Sequence, residues 1–433
     1  MAKKNGKGSK GEHRLSASVD ELLTSALRRG DESLETGRYI VTYKENATAE
    51  ARRSLGGKGL RVADARDFKE QAVTLDAVGD ADAVVFPEIG AAVISGGAFA
   101  ARGMSVQAEI PDDSPIEAIE PEYFVFATAS DTNSLYLRGF VRAAEAIAQD
   151  LRAPEETDLA PEEDPMVVGA TWGLIRCKVP PSLRSGTGIK VAVLDTGLDL
   201  GHPDFSGRTI ATQSFVGEPV QDLHSHGTHC IGTALGPKSP AGTTPRYGIA
   251  YRAQIFAGKV LTNSGSGTTA NVLAGMNWAI ANRCAVISMS LGSAAPVQAA
   301  YTAAGSAALS KGCLIIAAAG NDGAATGSPA NSPTIMSVAS LDPNSRPSSF
   351  SNFGKVEIAA PGRDIFSAVP RPARYGTKNG TSMATPHVAG CAALWAESNA
   401  ALRGVTLWKK LQSTARTLPL FATRVGAGLV QAP

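Results

Sequence analysis

The stretch NGTSMATPHVAG at residues 379–390 places a serine where a helix is expected to begin. A short run of small, turn-prone residues comes first, and apolar residues then continue the helix into a core. At such a position the hydroxyl of Ser382 lies beside free backbone N–H groups, in the positive field of the helix N-terminus. A nucleophile that generates an oxyanion needs these surroundings. Taken alone, however, Thr381 or Ser382 could simply cap the helix.

Two further polar residues stand at comparable places in the chain. Asp195 follows the apolar run at 189–194, and His226 opens a predicted helix at 226–235. An acyl-transfer site needs a hydroxyl nucleophile, an imidazole that takes its proton and a carboxylate that orients the imidazole. Each residue also has a structural interpretation, since Asp195 could cap a turn and His226 could belong to a helix cap. Together with Ser382, they supply all three groups.

Apolar runs alternate with helical segments from Thr171 onwards, and this pattern predicts an α/β fold with a doubly wound, mainly parallel sheet. Near-continuous apolar strands are typical of buried parallel sheets, whose binding sites lie beyond the carboxyl ends of the strands. No glycine-rich phosphate loop of the required spacing follows the first strand, which argues against a nucleotide-binding protein. We expect strands at 189–194, 255–260, 285–289 and 314–318, and helices at 226–235, 269–282 and 298–310.

Three segments of this region resemble those of the subtilisin-like serine peptidases. Residues 190–197 (KVAVLDTG) and 201–205 (GHPDF) resemble the aspartate segment of that family. Residues 226–233 (HGTHCIGT) resemble its histidine segment, and residues 380–390 resemble its serine segment. The order Asp, His, Ser along the chain is also that of subtilisins. The resemblance extends from about Thr171 to the C-terminus.

The resemblance implies a serine endopeptidase and gives each residue a role. Ser382 would attack the scissile carbonyl, His226 would act as general base and then as general acid, and Asp195 would orient the imidazole. Residues 317–323 (AAAGNDG) match the family's oxyanion segment. Asn321 would therefore donate its side-chain amide to the developing oxyanion, beside the backbone N–H of Ser382.

Two short segments match those that flank the substrate in the family, and their backbones are expected to pair with a peptide as added strands. Because such pairing does not read side chains, the resemblance implies broad cleavage of unfolded proteins. Small residues at the primary pocket favour a medium or large apolar residue before the cleaved bond. The flanking residues are Gly265, Ser266, Gly267, Ser290, Leu291 and Gly292, and the pocket residues are Ala319, Gly320 and Gly327.

Cys230 stands where the proteinase K-like branch of the family has a cysteine, and we expect it to lie beneath His226 as a buried thiol that is sensitive to mercurials. Oxidation of Met383, which follows the nucleophile, is expected to lower activity.

Asp204 matches a calcium ligand of the family, although residues 236–242, which would supply further ligands, include no acidic residue and no Asn. We expect no required cofactor, with calcium possible as a structural ion.

Composition limits the partners and the cellular location. The net charge of +1 gives no reason to expect a nucleic-acid partner. The basic N-terminus is followed by no apolar segment, and no apolar run approaches the length of a transmembrane helix. We therefore expect a cytoplasmic protein that acts on protein or peptide substrates and binds no membrane, with unconventional secretion left open.

The five cysteines match no metal motif, so we expect buried free thiols, although one disulfide stays open.

The N-terminal part is predicted to form a small α+β domain. Residues 38–44 (RYIVTYK) and 119–122 (IEPE) resemble the family's inhibitory propeptide, which plugs the active site with its last strand and is then removed by self-processing. An unrelated interaction domain is the alternative. The chain then divides into an N-terminal extension with disordered and helical parts (1–35), a propeptide-like domain (36–127), an acidic linker (128–165) and a catalytic domain (166–433).

The charges of the two halves are opposite. Residues 1–170 have a formal charge of −11, and residues 171–433 have a charge of +12. The halves would attract each other at low salt, or they are two solvated faces that never meet.

The chain is expected to be cleaved within residues 126–129, at the end of the segment that would occupy the active site, or in the acidic stretch before Trp172. Two other functions stay open: a dedicated processing protease with one partner protein, and a binding protein that keeps the fold without catalysis.

Overall fold

The computed structural model describes residues 14–29, 33–45, 47–107, 109–127 and 169–433. Most of residues 1–17, predicted to be disordered, lies outside the described residues, as does the whole predicted linker at 128–165.

The N-terminal part contains short helices and mostly antiparallel strands. They are α1 (Val19–Arg29), β1 (Glu35–Tyr43), α2 (Thr48–Gly57), β2 (Val62–Asp64), β3 (Ala83–Phe86), β4 (Ala91–Ile94), α3 (Gly96–Ala101) and β5 (Ile116–Ala127). Helix α1 begins with a capping box, because Ser18 Oγ accepts from the N–H of Glu21 and the carboxylate of Glu21 accepts from the N–H of Ser18.

The larger part alternates strands and helices. Its elements are α4 (Trp172–Arg176), β6 (Lys190–Asp195), β7 (Ile210–Ser214), α5 (His226–Leu235), β8 (Gln254–Lys259), β9 (Ser266–Thr268), α6 (Thr269–Ala281), β10 (Val286–Met289), β11 (Leu291–Gly292), α7 (Ala299–Ser310), β12 (Leu314–Ala318), β13 (Met336–Leu341), β14 (Ile358–Pro361), β15 (Ile365–Ala368), β16 (Tyr375–Lys378), α8 (Thr381–Ser398), α9 (Gly404–Thr414) and α10 (Ala422–Val425).

Seven parallel strands form the central sheet, in the order β14-β13-β12-β10-β6-β8-β7. The predicted doubly wound α/β fold is therefore confirmed. Strand β6 lies between β8 and β10. The later strands are therefore added on both sides of β6, with β7 and β8 on one side and β10, β12, β13 and β14 on the other. Ligands of such sheets bind where the strand order reverses. Asp195 is the last residue of β6, at this point of the sheet.

The four predicted strands of this sheet are confirmed to within one residue at each end, whereas β7, β13 and β14 were not predicted. Strand β13 has the sequence MSVASL and buries Ser337 and Ser340 completely. Its buried serines interrupt the apolar run by which the other strands were recognised. Strand β7 is only half-buried at the edge of the sheet, and its sequence IATQS lacks any apolar run.

A second sheet joins the two parts of the chain. Strands β2, β3, β4, β1 and β5 lie side by side in that order, and β5 also pairs with β9 and β11 of the larger part. One apolar cluster includes side chains from both parts, among them Ile40, Val125, Trp278 and Tyr301. Among the ion pairs of the described residues, Glu88–Lys311 joins the two parts. The halves therefore meet mainly through backbone pairing and apolar packing.

All five cysteines are buried and free, as predicted. Within the residues that the structure describes, no helix combines the length and the apolar character that crossing a membrane requires.

A buried ion pair holds three segments of the N-terminal part together and joins them to β9. The guanidinium of Arg38 donates to both carboxylate oxygens of Glu122, with distances of 2.6 and 3.1 Å. It also donates to the carbonyl of Leu15 (2.9 Å) and to the hydroxyl of Thr268 (3.2 Å). Both side chains of the pair are excluded from solvent.

Replacement of Arg38 by alanine is expected to destabilise the chain strongly, because it leaves the Glu122 carboxylate buried without a cation. Removal of one partner of a buried pair costs about 3–5 kcal/mol. Urea unfolding of the full chain carrying Ser382→Ala measures the change, because Ser382 is the nucleophile that the sequence predicts to cleave the chain. Arg61→Ala is the matched control, since Arg61 pairs with Asp82 at the surface and should leave the midpoint unchanged. Equal midpoints for both variants would contradict the prediction.

Candidate active site

The end of β6 and the start of α5 bring a carboxylate and an imidazole together. Nδ1 of His226 lies 2.7 Å from Oδ1 of Asp195, and the same oxygen accepts from the N–H of Thr196 at 2.7 Å. Because a carboxylate only accepts, Nδ1 of His226 is the donor, and Nε2 of the neutral ring has the free lone pair. Both side chains are buried, and among the described residues Nε2 has no hydrogen-bond partner.

The predicted nucleophile is the second residue of α8, where Ser382 is fully buried. Its hydroxyl donates to the carbonyl of Ser290 at 3.3 Å, and the hydroxyl of Ser290 donates to the carbonyl of Ser382 at 2.8 Å. Gly380, which precedes α8, has no side chain to cap the helix, and the N–H of Thr381 donates to the side chain of Asn321. The cap interpretation of Ser382 is therefore not supported by the geometry.

Cys230 lies between the histidine and the serine helix. Its Sγ is 3.9 Å from Nδ1 of His226 and 3.5 Å from the carbonyl oxygen of Ser382. The expectation of a buried thiol beneath His226 is confirmed. Burial raises the pKa of Cys230, so the thiol form is favoured. The assignment to the proteinase K-like branch and the mercurial sensitivity stay predictions.

The side chain of Asn321 is oriented by the residue that precedes the serine. Its Oδ1 accepts from the N–H of Thr381 at 2.8 Å and from the hydroxyl of Thr381 at 2.9 Å. The hydroxyl of Thr381 in turn accepts from the N–H of Gly320 at 3.1 Å. These two bonds fix the orientation of the amide, with its oxygen directed at Thr381. Sequence analysis did not identify this role of Thr381.

The last residues of β5 lie between the two predicted substrate-flanking segments. On one side Phe124, Val125 and Phe126 pair antiparallel with Thr268, Gly267 and Ser266, and the N–H of Ala127 donates to Gly265 at 2.9 Å. On the other side Phe126 faces Gly292, and Ala127 faces Leu291. The two flanking segments therefore hold the end of β5 as the central strand of three.

The predicted pocket residues lie on a loop that Asn352 holds in place. The buried side chain of Asn352 donates to the carbonyls of Ala319 and Ala325 and accepts from the N–H groups of Asp322 and Ala324. Neither this residue nor its role was predicted, because its signal is a single Asn far from the loop in sequence.

Neighbouring atoms leave no room for a side chain at the two glycines of the predicted pocket. At Gly320, whose φ is +114°, a Cβ atom would lie 2.2 Å from the amide nitrogen of Asn352. At Gly327 a Cβ atom would lie 2.6 Å from the carbonyl of Ser293. Glycine is thus required at both places by neighbouring atoms, independently of any pocket.

The surroundings of Asp204 do not fit a calcium site. One of its carboxylate oxygens accepts from the hydroxyls of both Tyr247 and Tyr375. Calcium takes six to eight oxygen ligands, with carboxylates prominent among them. Within the described part of the chain, the potential ligands that cluster in a group of three are Asp195, His226 and Cys230, which belong to the predicted active site. Calcium at Asp204 therefore stays an unsupported prediction.

Comparisons with known proteins identify the family of the chain. Residues 186–428 match the Subtilase family. Subtilisin Savinase from Lederbergia lenta is 41% identical over 268 residues, which are 60% of this chain and 96% of that protein. An alkaline protease from Alkalihalobacillus alcalophilus is 41% identical over 274 residues, 62% of this chain and 70% of that protein. The crystal structure of a cold-adapted subtilisin-like serine proteinase matches with 34% identity and a TM-score of 0.54, covering 61% of this chain and 99% of that chain.

The chain therefore belongs to the subtilase family. It is a serine endopeptidase, a hydrolase that acts on protein or peptide substrates, and subtilases need no organic cofactor.

The electrostatics of His226 predict the pH at which the enzyme works. Burial on its own lowers the pKa of His226, but the charge of Asp195 and the hydrogen bond to it outweigh burial, so the pKa lies well above its usual 6.5. A base must be neutral to take a proton, and a raised pKa keeps the imidazole protonated to a higher pH. We expect kcat/KM to rise with pH through an apparent pKa above 6.5.

Asp195→Asn is the matched control for this pH profile, because it removes the charge while keeping the shape of the side chain. The acid limb of its residual activity should move to lower pH. An acid limb of the unaltered enzyme at or below 6.5 would contradict the prediction.

Proposed function

We propose that this subtilase is made as a self-inhibited zymogen in which Asp195, His226 and Ser382 form the catalytic triad. The observation that supports the zymogen is the strand at Phe124–Ala127, which fills the space between β9 and β11 as a substrate would. The part of the chain up to residue 127 then acts as an intramolecular inhibitor of the catalytic part.

In the proposed reaction the hydroxyl of Ser382 attacks the scissile carbonyl while Nε2 of His226 takes its proton. The contact with Asp195 keeps the proton of the neutral ring on Nδ1, so Nε2 is the atom that accepts. The carboxylate then stabilises the imidazolium, which returns the proton to the leaving amine. Water then attacks the acyl-enzyme with His226 again as the base, and the ester bond breaks as the imidazolium returns the proton to the oxygen of Ser382.

The negative charge that develops on the carbonyl oxygen would be stabilised by the side-chain NH₂ of Asn321 and the backbone N–H of Ser382. This role is supported by the two hydrogen bonds from Thr381, which fix the amide oxygen of Asn321 before substrate binds. A donor that is fixed in advance costs no reorganisation in the transition state, and losing one lowers turnover about 10²–10³-fold.

The register of β5 supports a first cleavage close to its end. Because β5 and β11 are antiparallel and Ala127 faces Leu291, the last residue of β5 is the one nearest in register to Ser290, whose carbonyl accepts from the Ser382 hydroxyl. The bond that reaches the nucleophile then lies within residues 127–129, inside the range expected from the sequence.

Specificity is proposed to be broad, with a preference for an apolar residue before the cleaved bond. The pairing of Phe124–Ala127 with β9 and β11 uses backbone groups, which supports broad recognition of extended chains. No described contact favours the alternative of one dedicated partner protein. A peptide-library cleavage profile distinguishes the two, since a single sharp consensus would support the dedicated protease.

Self-processing is tested by synthesis of the chain alone in a protease-free translation system. The unaltered chain should cleave itself within residues 127–129, as read by N-terminal sequencing, and should then react with a fluorophosphonate probe at Ser382. Ser382→Ala should stay intact and unlabelled, whereas the control Ser398→Ala, at the far end of α8, should behave as the unaltered chain. Maturation of the Ser382→Ala chain would contradict self-processing, and absence of labelling after maturation would contradict the assigned nucleophile.

The inhibitory contact depends on a carboxylate at a helix start. Glu120 of β5 accepts from the N–H groups of Ala299 and Ala300, both at 3.0 Å, at the first turn of α7. Residue Gln298, which precedes α7, provides no side-chain cap. The N-terminal part therefore supplies the cap that the catalytic part lacks.

Glu120→Ala is expected to weaken inhibition and to shorten the lag between self-cleavage and the appearance of peptidase activity. Loss of a helix cap costs about 0.5–2 kcal/mol, which corresponds to a several-fold faster release of the inhibitor. Stopped-time assays of activity and of cleavage on the same sample measure the lag. Glu117→Ala is the control, since Glu117 is exposed on the same strand. An unchanged lag for Glu120→Ala would show that the cap does not hold the inhibitor.

A further inference from the structure

A buried carboxylate outside the predicted triad lies four residues before His226. The side chain of Asp222 is fully buried. Its Oδ1 accepts from the hydroxyl of Thr196 at 3.0 Å and from the N–H groups of His224 and Ser225 at 2.9 and 3.0 Å. Its Oδ2 accepts from the N–H of Thr228 at 2.9 Å and from the hydroxyl of Thr228 at 2.7 Å.

These bonds form the cap of α5, the helix that begins with His226. Ser225 precedes the helix in the left-handed region, with a φ of 83°, and its own side chain makes no capping bond. Asp222 holds the N–H of Ser225 and the N–H of Thr228, so it fixes the backbone on both sides of His226. A carboxylate at a helix N-terminus is also favoured by the helix dipole.

The other end of the network is next to Asp195. The hydroxyl of Thr196 donates to Asp222 and accepts from the N–H of Gly227 at 2.8 Å, while the N–H of Thr196 donates to Asp195. Thr196 therefore connects the carboxylate of Asp222 with the loop that follows Asp195 and with the first turn of α5. The buried ammonium of Lys259 supports the same loop by donating to the carbonyl of Thr196 at 2.6 Å.

We infer that Asp222 is a positioning residue for the acylation step: through Thr196 and the start of α5, it fixes the relative position of Asp195 and His226. The inference rests on the proposed triad. The bonds of Asp222 end on residues adjacent to Asp195 and His226, and not on β9, β11 or the loop at Asn352. Its contribution should therefore appear in the chemical step and not in substrate binding.

Thr196→Val tests the connection while the cap of α5 by Asp222 is retained. The isosteric change removes the hydroxyl that links Asp222, Gly227 and the Asp195 loop. We expect kcat to fall substantially with KM nearly unchanged, since misplacement of a catalytic group by about 1 Å can cost about 10²-fold in rate. Thr196→Ser restores the hydroxyl and should restore kcat. Asp222→Asn should also lower kcat, because its amide cannot accept on both sides.

The variants need to mature independently of their own activity. A cysteine-protease recognition sequence inserted within residues 128–165 permits cleavage in trans, and ion-exchange chromatography can separate the two oppositely charged parts. Circular dichroism and thermal unfolding establish that each mature variant is folded. If Asp222→Asn does not fold, the Thr196→Val and Thr196→Ser pair still decides the question.

An Asp195→Ala background distinguishes positioning from a general loss of structure. If Thr196 acts through Asp195, Thr196→Val should cause little further loss in this background, because residues that act as a unit are strongly non-additive. A loss of the same size in both backgrounds, or an effect confined to KM, would overturn the inference. Ser382→Ala separates this outcome from a failure of the proposed triad: if it retains activity, the triad itself is wrong.

Discussion

The contact between Nδ1 of His226 and the carboxylate of Asp195 is the interaction on which the rest of this site depends. Two buried polar groups from different elements are held at 2.7 Å, although each would be solvated in the unfolded chain. Burial of a charge is expensive unless it is compensated by hydrogen bonds. The N–H of Thr196, the residue after strand β6, compensates part of this cost by donating to the same carboxylate oxygen. The side chains of Thr196 and Asp222 add hydrogen bonds that fix the end of β6 relative to the start of α5.

Hydrogen bonds to backbone groups also join the N-terminal part to the larger part of the chain. The last strand of that part, β5, satisfies its own backbone groups by pairing with β9 and β11, and its carboxylates satisfy the starts of two helices. Glu122 accepts from the N–H of Ala270 in α6, while Glu120 accepts from α7. The opposite formal charges of the two halves contribute less to the stability of this interface than their size suggests, because backbone pairing and apolar packing make up most of the described interface. Long-range charge would chiefly accelerate docking and be weakened by salt.

Much of the fold could be predicted from the sequence because its buried strands are short, continuous apolar runs. The starts of α5 and α8 could also be placed, since His226 and Ser382 follow turn-prone residues and precede apolar helices. Strand β13 could not, because Ser337 and Ser340, which are buried within it, interrupt the apolar pattern. The sequence also did not reveal the roles of Thr381, Asn352 or Asp222. Their importance comes from what their side chains contact, and the partners of Asn352 are up to about thirty residues away.

The two helix starts that β5 covers differ in a way that bears on the proposed release of the N-terminal part. Helix α6 has its own capping box, formed by Thr268 and Asn271, so it keeps a cap when the N-terminal part leaves. Helix α7 has none, and its first N–H groups must turn to water once Glu120 has gone. The backbone pairing of β9 and β11 is likewise available to a substrate after release. In the proposed zymogen the inhibitor would therefore be held by interactions that water or a peptide can replace, and its departure would expose a site in which Asp195 and His226 are already in contact.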